Sequence, residues 1–280
     1  MYLSIDFEDP HHDLKRSLGI CESGQIKTKE LWKKYEDINN FLEKYGKGNG
    51  KSATFFCTGV IAEKSPDLIH QISKDGHEIA CHYFFHDFVK NEDNTKLYKM
   101  LLRAKNCLEN ASGKVVKGFR APCFAINNKT PEQYKILEEI FDYDSSFHCN
   151  SLGMLEDFKK KMGLKKLKIL PLYSQNILGK KFKLGGSFLK IFPVLYSKFM
   201  ISKSIESGFN PHIYMHPYEF DVSTDLRVKF NELVDAGFPK ALYWKIRQNQ
   251  WLTFKNKTTK SKLATLIREN PLEGTLENLI

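Results

Sequence analysis

The chain has 280 residues, of which 41% are hydrophobic and 27% are charged, and its formal net charge is +10. This length and composition can bury a sizeable core and exclude an intrinsically disordered chain. The longest apolar stretch, residues 188–201, is interrupted by Lys190, Pro193 and Lys198, which excludes a membrane-spanning helix there. Residues 1–6 have neither the basic nor the apolar region of a secretory signal peptide, so we expect none.

Strand-like and helix-like segments alternate along the chain, beginning with an apolar run. The predicted strands lie at residues 2–5, 53–57, 79–81, 116–120, 143–147, 168–172 and 212–216. The predicted helices lie at residues 28–44, 66–74, 94–110, 130–140, 188–207 and 257–270. The alternation predicts one α/β domain over residues 1–280, a closed or nearly closed barrel with catalytic residues at the C-terminal ends of its strands.

Lysine-rich runs occur at residues 159–168, 180–183 and 255–262. Such runs are found in proteins that bind nucleic acid, an anionic membrane surface or an acidic glycan, but more often they form a solvated face. None has the compact, aromatic-interleaved pattern of a nucleic-acid module. We therefore predict no nucleic-acid partner, while the basic surface stays compatible with peripheral membrane contact.

The cysteines are widely spaced and form no Cys-x-x-Cys pair. This spacing favours free, buried thiols in a reducing compartment over a disulfide framework. The residues concerned are Cys21, Cys57, Cys81, Cys107, Cys123 and Cys149.

Acidic and imidazole side chains follow two of the predicted strands. Asp6 and Glu8 end the first strand and, because strand side chains alternate, share a face, whereas Asp9 points away unless the chain has already turned. His82 and His86 follow the third strand. A catalytic divalent ion usually takes three protein ligands and keeps one position open for water, so the two histidines need an acid to complete the set.

Five ordered segments resemble the motifs of the NodB-homology polysaccharide deacetylases, and most closely the exopolysaccharide-biosynthesis branch without a signal peptide. The resemblance covers roughly residues 1–225. It is carried by Ser4-Ile5-Asp6-x-Glu8-Asp9, Gly76-His77-Glu78-Ile79-x-x-His82-x-x-x-His86, Phe119-Arg120-Ala121-Pro122, Tyr143-Asp144-Ser145-Ser146 and Tyr214-x-His216-Pro217-x-Glu219, with Leu184-Gly185-Gly186-Ser187 as a further similarity.

This resemblance implies a deformed (β/α)7 barrel. We expect residues 226–280 to form a C-terminal helical extension packed on the barrel. The resemblance also implies a divalent metal, Zn²⁺ by preference, held by Glu8, His82 and His86. The chain departs from the commonest family pattern of adjacent aspartates, because Phe7 separates Asp6 from the next acid. Either Glu8 or Asp9 can therefore supply the acidic ligand, and we assign it to Glu8.

The family pattern also implies the remaining catalytic roles. Asp6 matches the base that takes a proton from water, and Arg120 matches the arginine that pairs with this base. His216 matches the general acid that protonates the leaving amine, and Asp144 resembles the acid that orients this histidine. A backbone N–H just after Pro122, from Cys123 or Phe124, would bind the oxyanion.

We therefore expect a metal-dependent hydrolase that removes the N-acetyl group from a sugar of a surface polysaccharide, exopolysaccharide or its precursor, including a lipid-linked glycan. Its expected place is the cytoplasm or the inner face of the membrane. Two alternatives stay open: a non-sugar amidohydrolase of the same superfamily, of the allantoinase kind, and a catalytically silent glycan-binding protein. The sequence does not specify the oligomeric state.

Overall fold

A computed structural model describes residues 1–20, 25–177 and 179–280, so Cys21 lies outside the described residues. Its main sheet has seven parallel strands in the order β10-β1-β2-β3-β4-β5-β7. The strands are β1 Tyr2–Phe7, β2 Thr54–Cys57, β3 Glu78–Cys81, β4 Gly118–Phe119, β5 Tyr143–Asp144, β6 His148–Cys149, β7 Lys168–Ile169, β8 Leu172–Ile177, β9 Lys180–Lys183 and β10 His212–Met215.

The helices cover the outside of this curled sheet. They are α1 Pro10–Ser17, α2 Thr28–Tyr45, α3 Gly59–Lys64, α4 Pro66–Lys74, α5 Asn94–Ser112, α6 Glu132–Ile140, α7 Leu152–Met162, α8 Gly186–Ile191, α9 Val194–Glu206, α10 Phe230–Leu233, α11 Phe238–Gln248 and α12 Thr259–Glu269. Short 3-10 turns and one π-helical turn, Asn249–Thr253, connect several of them.

The central strands are buried on both faces, which explains their nearly continuous apolar sequences. Every residue of β1, β2 and β3 is buried. The register aligns Ser4 of β1 with Tyr214 on one side and with Thr54 on the other. The predicted deformed (β/α)7 barrel is therefore confirmed, with all its strands ending at one rim.

A smaller sheet, in the order β6-β8-β9, lies beside the barrel and contains the antiparallel pair β8 and β9. The chain then returns to the barrel, where Gly185 forms a parallel bridge with Tyr214 of β10. Gly185 has φ +111°, and a Cβ there would lie 2.3 Å from the Tyr214 carbonyl oxygen. Only glycine allows the backbone to approach β10 this closely.

Residues 226–280 supply the helical extension that the sequence predicted. Its last helix, α12, buries Leu263, Leu266 and Ile267 in the main core. The following segment packs below the barrel, where the backbone N–H of Leu276 donates to Thr54 Oγ1 at 2.8 Å. This segment thus covers the rim opposite the strand ends that carry the predicted site residues.

Most predicted elements exist with shifted ends, but two predictions were wrong in detail. The predicted helix at residues 188–207 is two helices, because the chain breaks at Pro193 between α8 and α9. Of the five described cysteines, all are free, but Cys107 is half-buried and Cys123 is exposed.

Among the described residues, no helix is both long enough and apolar enough to cross a membrane.

Candidate active site

The predicted site residues lie together at the C-terminal rim of the barrel. Asp6 and Glu8 follow from β1, His82 and His86 from β3, Arg120 from β4, Asp144 from β5 and His216 from β10. All are buried except His86 and His216, whose side chains are 14% and 19% exposed. The site is therefore a mostly buried cluster, and the imidazole rings of His86 and His216 are its partly exposed members.

Asp6 and Arg120 form a buried ion pair. Arg120 Nη1 donates to Asp6 Oδ1 at 2.5 Å, and neither side chain is more than 3% exposed. Burial alone would raise the pKa of Asp6, but the charge of Arg120, together with that of His216 and the Arg120 hydrogen bond, outweighs it and lowers the pKa below its ordinary value. Asp6 is therefore held as a carboxylate.

The guanidinium of Arg120 is fixed by several further hydrogen bonds. It donates to the hydroxyl of Ser4 at 2.8 Å and to the carbonyl and hydroxyl of Ser145 at 3.1 and 2.9 Å. His212 Nε2 lies 3.2 Å from Nη2 and 2.7 Å from the Ser4 hydroxyl. Sequence analysis gave Ser4, Ser145 and His212 no role, yet they hold the arginine that pairs with Asp6.

Glu8, His82 and His86 form a compact group of metal-ligand atoms, all within 4.8 Å of one another. Glu8 Oε2 lies 2.6 Å from His86 Nε2 and 3.8 Å from His82 Nε2. Burial would lower the pKa of His86, but the Glu8 carboxylate raises it to about 9. Burial lowers the pKa of His82 to about 4, which keeps that ring neutral at neutral pH.

Two observations indicate that this group fits a divalent cation. His82 Nδ1 donates to the Arg120 carbonyl at 2.8 Å, so its Nε2 carries the lone pair on the side facing Glu8. Glu8 Oε2 is buried and makes no hydrogen bond of normal geometry. A carboxylate and imidazole nitrogens converging in this way are a donor set that zinc accepts.

The loop after β3 reaches this geometry through an unusual backbone conformation. Tyr83 has φ +66°, a left-handed value that is uncommon for a bulky side chain. Its carbonyl accepts the Gly59 N–H at 2.9 Å, which anchors the turn to α3. The turn between the two histidines is thereby held where both rings face Glu8.

Asp9 serves a different purpose. Its carboxylate caps α1 by accepting the N–H groups of His11 and His12 at 3.0 and 3.3 Å, and it also accepts the N–H of Lys27 at 2.6 Å. Because these hydrogen bonds occupy both its oxygens, the acid grouped with the histidines is Glu8.

His216 is held by Glu219, which is a correction to the sequence analysis. Glu219 Oε2 accepts the His216 backbone N–H at 2.9 Å and lies 3.1 Å from Nδ1 of the ring. The prediction assigned this contact to Asp144, whose carboxylate instead accepts the backbone N–H and hydroxyl of Ser146 at 3.0 and 2.6 Å. The reason is geometric: β10 turns at Pro217 into a 3-10 turn that returns Glu219 to its own N-cap.

Asp144 contributes through the neighbouring loop. The Ser146 hydroxyl, which donates to Asp144, also accepts the Ala121 N–H at 2.8 Å. Burial raises the pKa of Asp144 to about 6, although the two Ser146 hydrogen bonds act in the opposite direction. Asp144 therefore fixes the chain directly after Arg120.

That chain segment contains the two predicted oxyanion donors. Cys123 and Phe124 both have left-handed φ values, +54° and +58°. The Phe124 N–H donates to the Ala121 carbonyl at 2.9 Å, which leaves the Cys123 N–H as the candidate.

The C-terminal extension reaches this site through Trp251, which contacts Tyr218. Tyr218 stacks on His216 with ring centroids 5.0 Å apart and an interplanar angle of 15°. Its hydroxyl accepts the indole N–H of Trp251 at 2.8 Å. A cavity of about 440 Å³ lies beside this contact, lined by Asp13, Leu14, Ser17, His86, Phe88, Cys123, Trp244, Arg247 and Trp251.

Two family models match parts of this chain. Residues 33–138 match the family model described as polysaccharide deacetylase. This part of the chain is therefore similar to the polysaccharide deacetylases. Residues 150–271 match a second model, described as a domain of unknown function (DUF3473).

The curated relatives that the chain matches differ in name and in the length matched. A peptidoglycan deacetylase from Helicobacter pylori is 27% identical over 148 residues, which cover 51% of this chain and 43% of that protein. The matched curated relatives are thus spanned over less than half of their length.

Two solved structures share the fold. A polysaccharide deacetylase candidate from Mycobacterium smegmatis has a TM-score of 0.52 at 19% identity, with 97% of this chain and 92% of that chain covered. A CE4 family pseudoenzyme from Bacillus anthracis has a TM-score of 0.50 at 12% identity, with 99% and 64% covered.

Proposed function

We propose that this chain is a metal-dependent N-deacetylase that hydrolyses the acetamide of an N-acetylated sugar in a polysaccharide or its precursor. The observation that carries the proposal is the buried Asp6–Arg120 pair beside the group formed by Glu8, His82 and His86. The named deacetylase activities of the relatives support the same chemistry.

In this proposal Glu8, His82 and His86 hold a divalent cation, with zinc preferred. Such a cation, when bound, supplies an activated water near neutral pH and polarises the amide carbonyl. Asp6 takes the proton from the attacking water, and Arg120 keeps Asp6 ionised and correctly oriented. The Cys123 N–H donates to the developing oxyanion.

His216 then protonates the leaving amine. Burial opposes its charge, but Glu219, Glu8 and Asp6 outweigh burial and raise the pKa of His216 above its ordinary value. Glu219 thus favours the protonated form of the ring and fixes its orientation through two contacts. The cavity lined by Phe88, Trp244 and Trp251 binds the sugar rings, because aromatic faces pack well against them.

The sequence resemblance is our basis for proposing the type of glycan substrate and the cellular compartment. The substrate is an exopolysaccharide, a surface polysaccharide or a lipid-linked precursor, and the chain acts in a reducing, cytoplasmic compartment. The free thiols of all five described cysteines are compatible with that compartment. We also propose that residues 1–280 act as one domain, because β10 pairs directly with β1.

The test is acetate release from N-acetylated chitooligosaccharides and peptidoglycan fragments, with zinc, cobalt or manganese added to purified protein. Wild type should release acetate, and Asp6→Asn should lose nearly all activity. The control variant His70→Ala, which changes an exposed histidine, should keep its activity. If no glycan is deacetylated while allantoin-like amides are opened, the amidohydrolase alternative is correct. Glycan binding without turnover in wild type and Asp6→Asn alike would indicate a silent binding protein.

A further inference from the structure

Helix α11 has an apolar side that faces solvent. Phe238, Leu242 and Ile246 follow one another at four-residue spacing and therefore share a face, with Tyr243 beside them. Their exposed fractions are 64%, 49%, 55% and 55% in the order Phe238, Leu242, Ile246 and Tyr243. The opposite side is the buried one, through Ala241 and Gln248. We call these four exposed residues the α11 face.

The surroundings of the α11 face are basic. Residues 238–262 contain no Asp or Glu and carry Lys240, Lys245, Arg247, Lys255, Lys257, Lys260 and Lys262. Lys240, Lys245 and Arg247 lie on α11 itself and are exposed. Of the two acids shortly before the helix, Glu232 already pairs with Lys15 at 2.9 Å. An apolar face bordered by cations is typical of helices that lie in a lipid headgroup layer.

The apolar surface extends beyond the helix. Ile191 and Phe254 are 43% and 51% exposed and line an adjoining groove together with Arg247. Trp244 and Arg247 of the same helix line the cavity that contains His86. Helix α11 therefore borders the mouth of the candidate active site, with the α11 face on its outer side.

We propose that the α11 face docks on an anionic phospholipid surface, with Phe238, Leu242, Tyr243 and Ile246 entering the headgroup region and the flanking lysines contacting phosphate groups. A second copy of the chain fits less well, because a two-fold contact would place Lys240 and Lys245 against their own counterparts. A nucleic acid would leave the aliphatic side chains Leu242 and Ile246 in water.

Docking in this orientation would bring the cavity close to the membrane surface. The choice of substrate rests on the proposed deacetylase function, under which the natural substrate would be a glycan attached to a membrane lipid. Vesicle binding itself requires no catalytic activity, so its failure and the failure of the deacetylase assay are separate results.

The experiment is cosedimentation of the full chain with vesicles made of equal parts of phosphatidylglycerol and phosphatidylcholine, with pure phosphatidylcholine vesicles as the comparison. Wild type should bind the anionic vesicles, and added salt should weaken this binding. Two double variants, Leu242→Glu/Ile246→Glu and Lys240→Glu/Lys245→Glu, should each lower the affinity for the anionic vesicles by at least about tenfold.

Two matched controls lie elsewhere on the chain. The control variants are Val115→Glu and Lys99→Glu. Val115 is 68% exposed and Lys99 is also exposed, and both variants should bind vesicles like wild type. Acetate release from a soluble oligosaccharide should be unchanged in all four variants. The proposal is overturned if wild type ignores anionic vesicles at low salt, or if the α11-face variants bind as well as the controls. It is equally overturned if Leu242→Glu/Ile246→Glu abolishes self-association or RNA binding instead of vesicle binding.

Discussion

Glu219 holds His216 at two points, through a 2.9 Å hydrogen bond from the histidine backbone and a 3.1 Å contact with Nδ1 of the ring. The carboxylate lies three residues after the histidine, and the 3-10 turn at Pro217 returns it to the ring. The pair gives His216 both an orientation and a raised pKa, which a general acid needs.

Removing the negative charge of Glu219 should therefore change the pH dependence of the reaction. In Glu219→Gln the pKa of His216 should fall, so that the alkaline limb of the kcat/KM profile moves to lower pH. We also expect kcat to fall by about tenfold or more, because the ring loses its orientation. The measurement is the profile of acetate release between pH 5 and pH 10. An alkaline limb that stays in place would contradict the role of Glu219.

Asp144 provides the matched comparison. Asp144→Asn should disturb the hydrogen bonds from Asp144 through Ser146 to the Ala121 N–H, and so lower kcat through the loop that carries Cys123. Because Asp144 does not hold the His216 ring, the alkaline limb should not move. A shift equal to that of Glu219→Gln would restore the assignment of Asp144 to His216.

The aromatic lining of the cavity should affect binding more than chemistry. Trp244→Ala should raise KM for an N-acetylated oligosaccharide by about tenfold while kcat changes little, since a lost packing surface costs about 1 kcal/mol or more. Tyr243→Ala is the control, because that neighbouring aromatic residue is 55% exposed and does not line the cavity. Equal effects of the two substitutions would show that the cavity does not bind the sugar.

A buried acid at the opposite rim should make folding stability depend on pH. Glu78 accepts hydrogen bonds from Thr54, Tyr143 and the Glu277 backbone, but burial dominates and raises its pKa to about 7. Between its ordinary value of 4.5 and about 7, the native state binds more protons than the unfolded state. The free energy of unfolding should therefore fall as pH rises through this interval.

Glu78→Gln should remove this contribution. Between pH 5 and pH 8 the wild type should lose about 2 to 3 kcal/mol more unfolding free energy than the variant, at about 1.4 kcal/mol per pKa unit. Urea unfolding at both pH values measures the difference. Parallel pH dependence in the two proteins would indicate that Glu78 keeps an ordinary pKa in the native state.

The sequence predicted the parts of this molecule that follow from strand order. Because parallel strands end at one rim, residues after β1, β3, β4 and β10 had to converge, and the barrel and the neighbourhood of Asp6, His82, Arg120 and His216 could be anticipated. Strand alternation also separated Glu8 from Asp9. The capping hydrogen bonds of Asp9 to His11 and His12 supply the physical reason.

What the sequence did not reveal depends on local turns and on tertiary contacts. The Glu219 contact required the 3-10 turn at Pro217, and the role of His212 required the packing of β10 beside β1. Helix α11 was not predicted, and its apolar residues Phe238, Leu242 and Ile246 face solvent, which is the reverse of the usual amphipathic arrangement. The bond from Trp251 to Tyr218 joins residues 33 positions apart and leaves no periodic signal.

The central claim is that Glu8, His82 and His86 hold a catalytic cation. The most direct measurement is acetate release by metal-stripped protein during stepwise addition of zinc. Activity should be absent at first and saturate at about one ion per chain, whereas Glu8→Gln should need far more zinc than wild type. Acetate release that persists after stripping, or a Glu8→Gln curve identical to that of wild type, would contradict the claim.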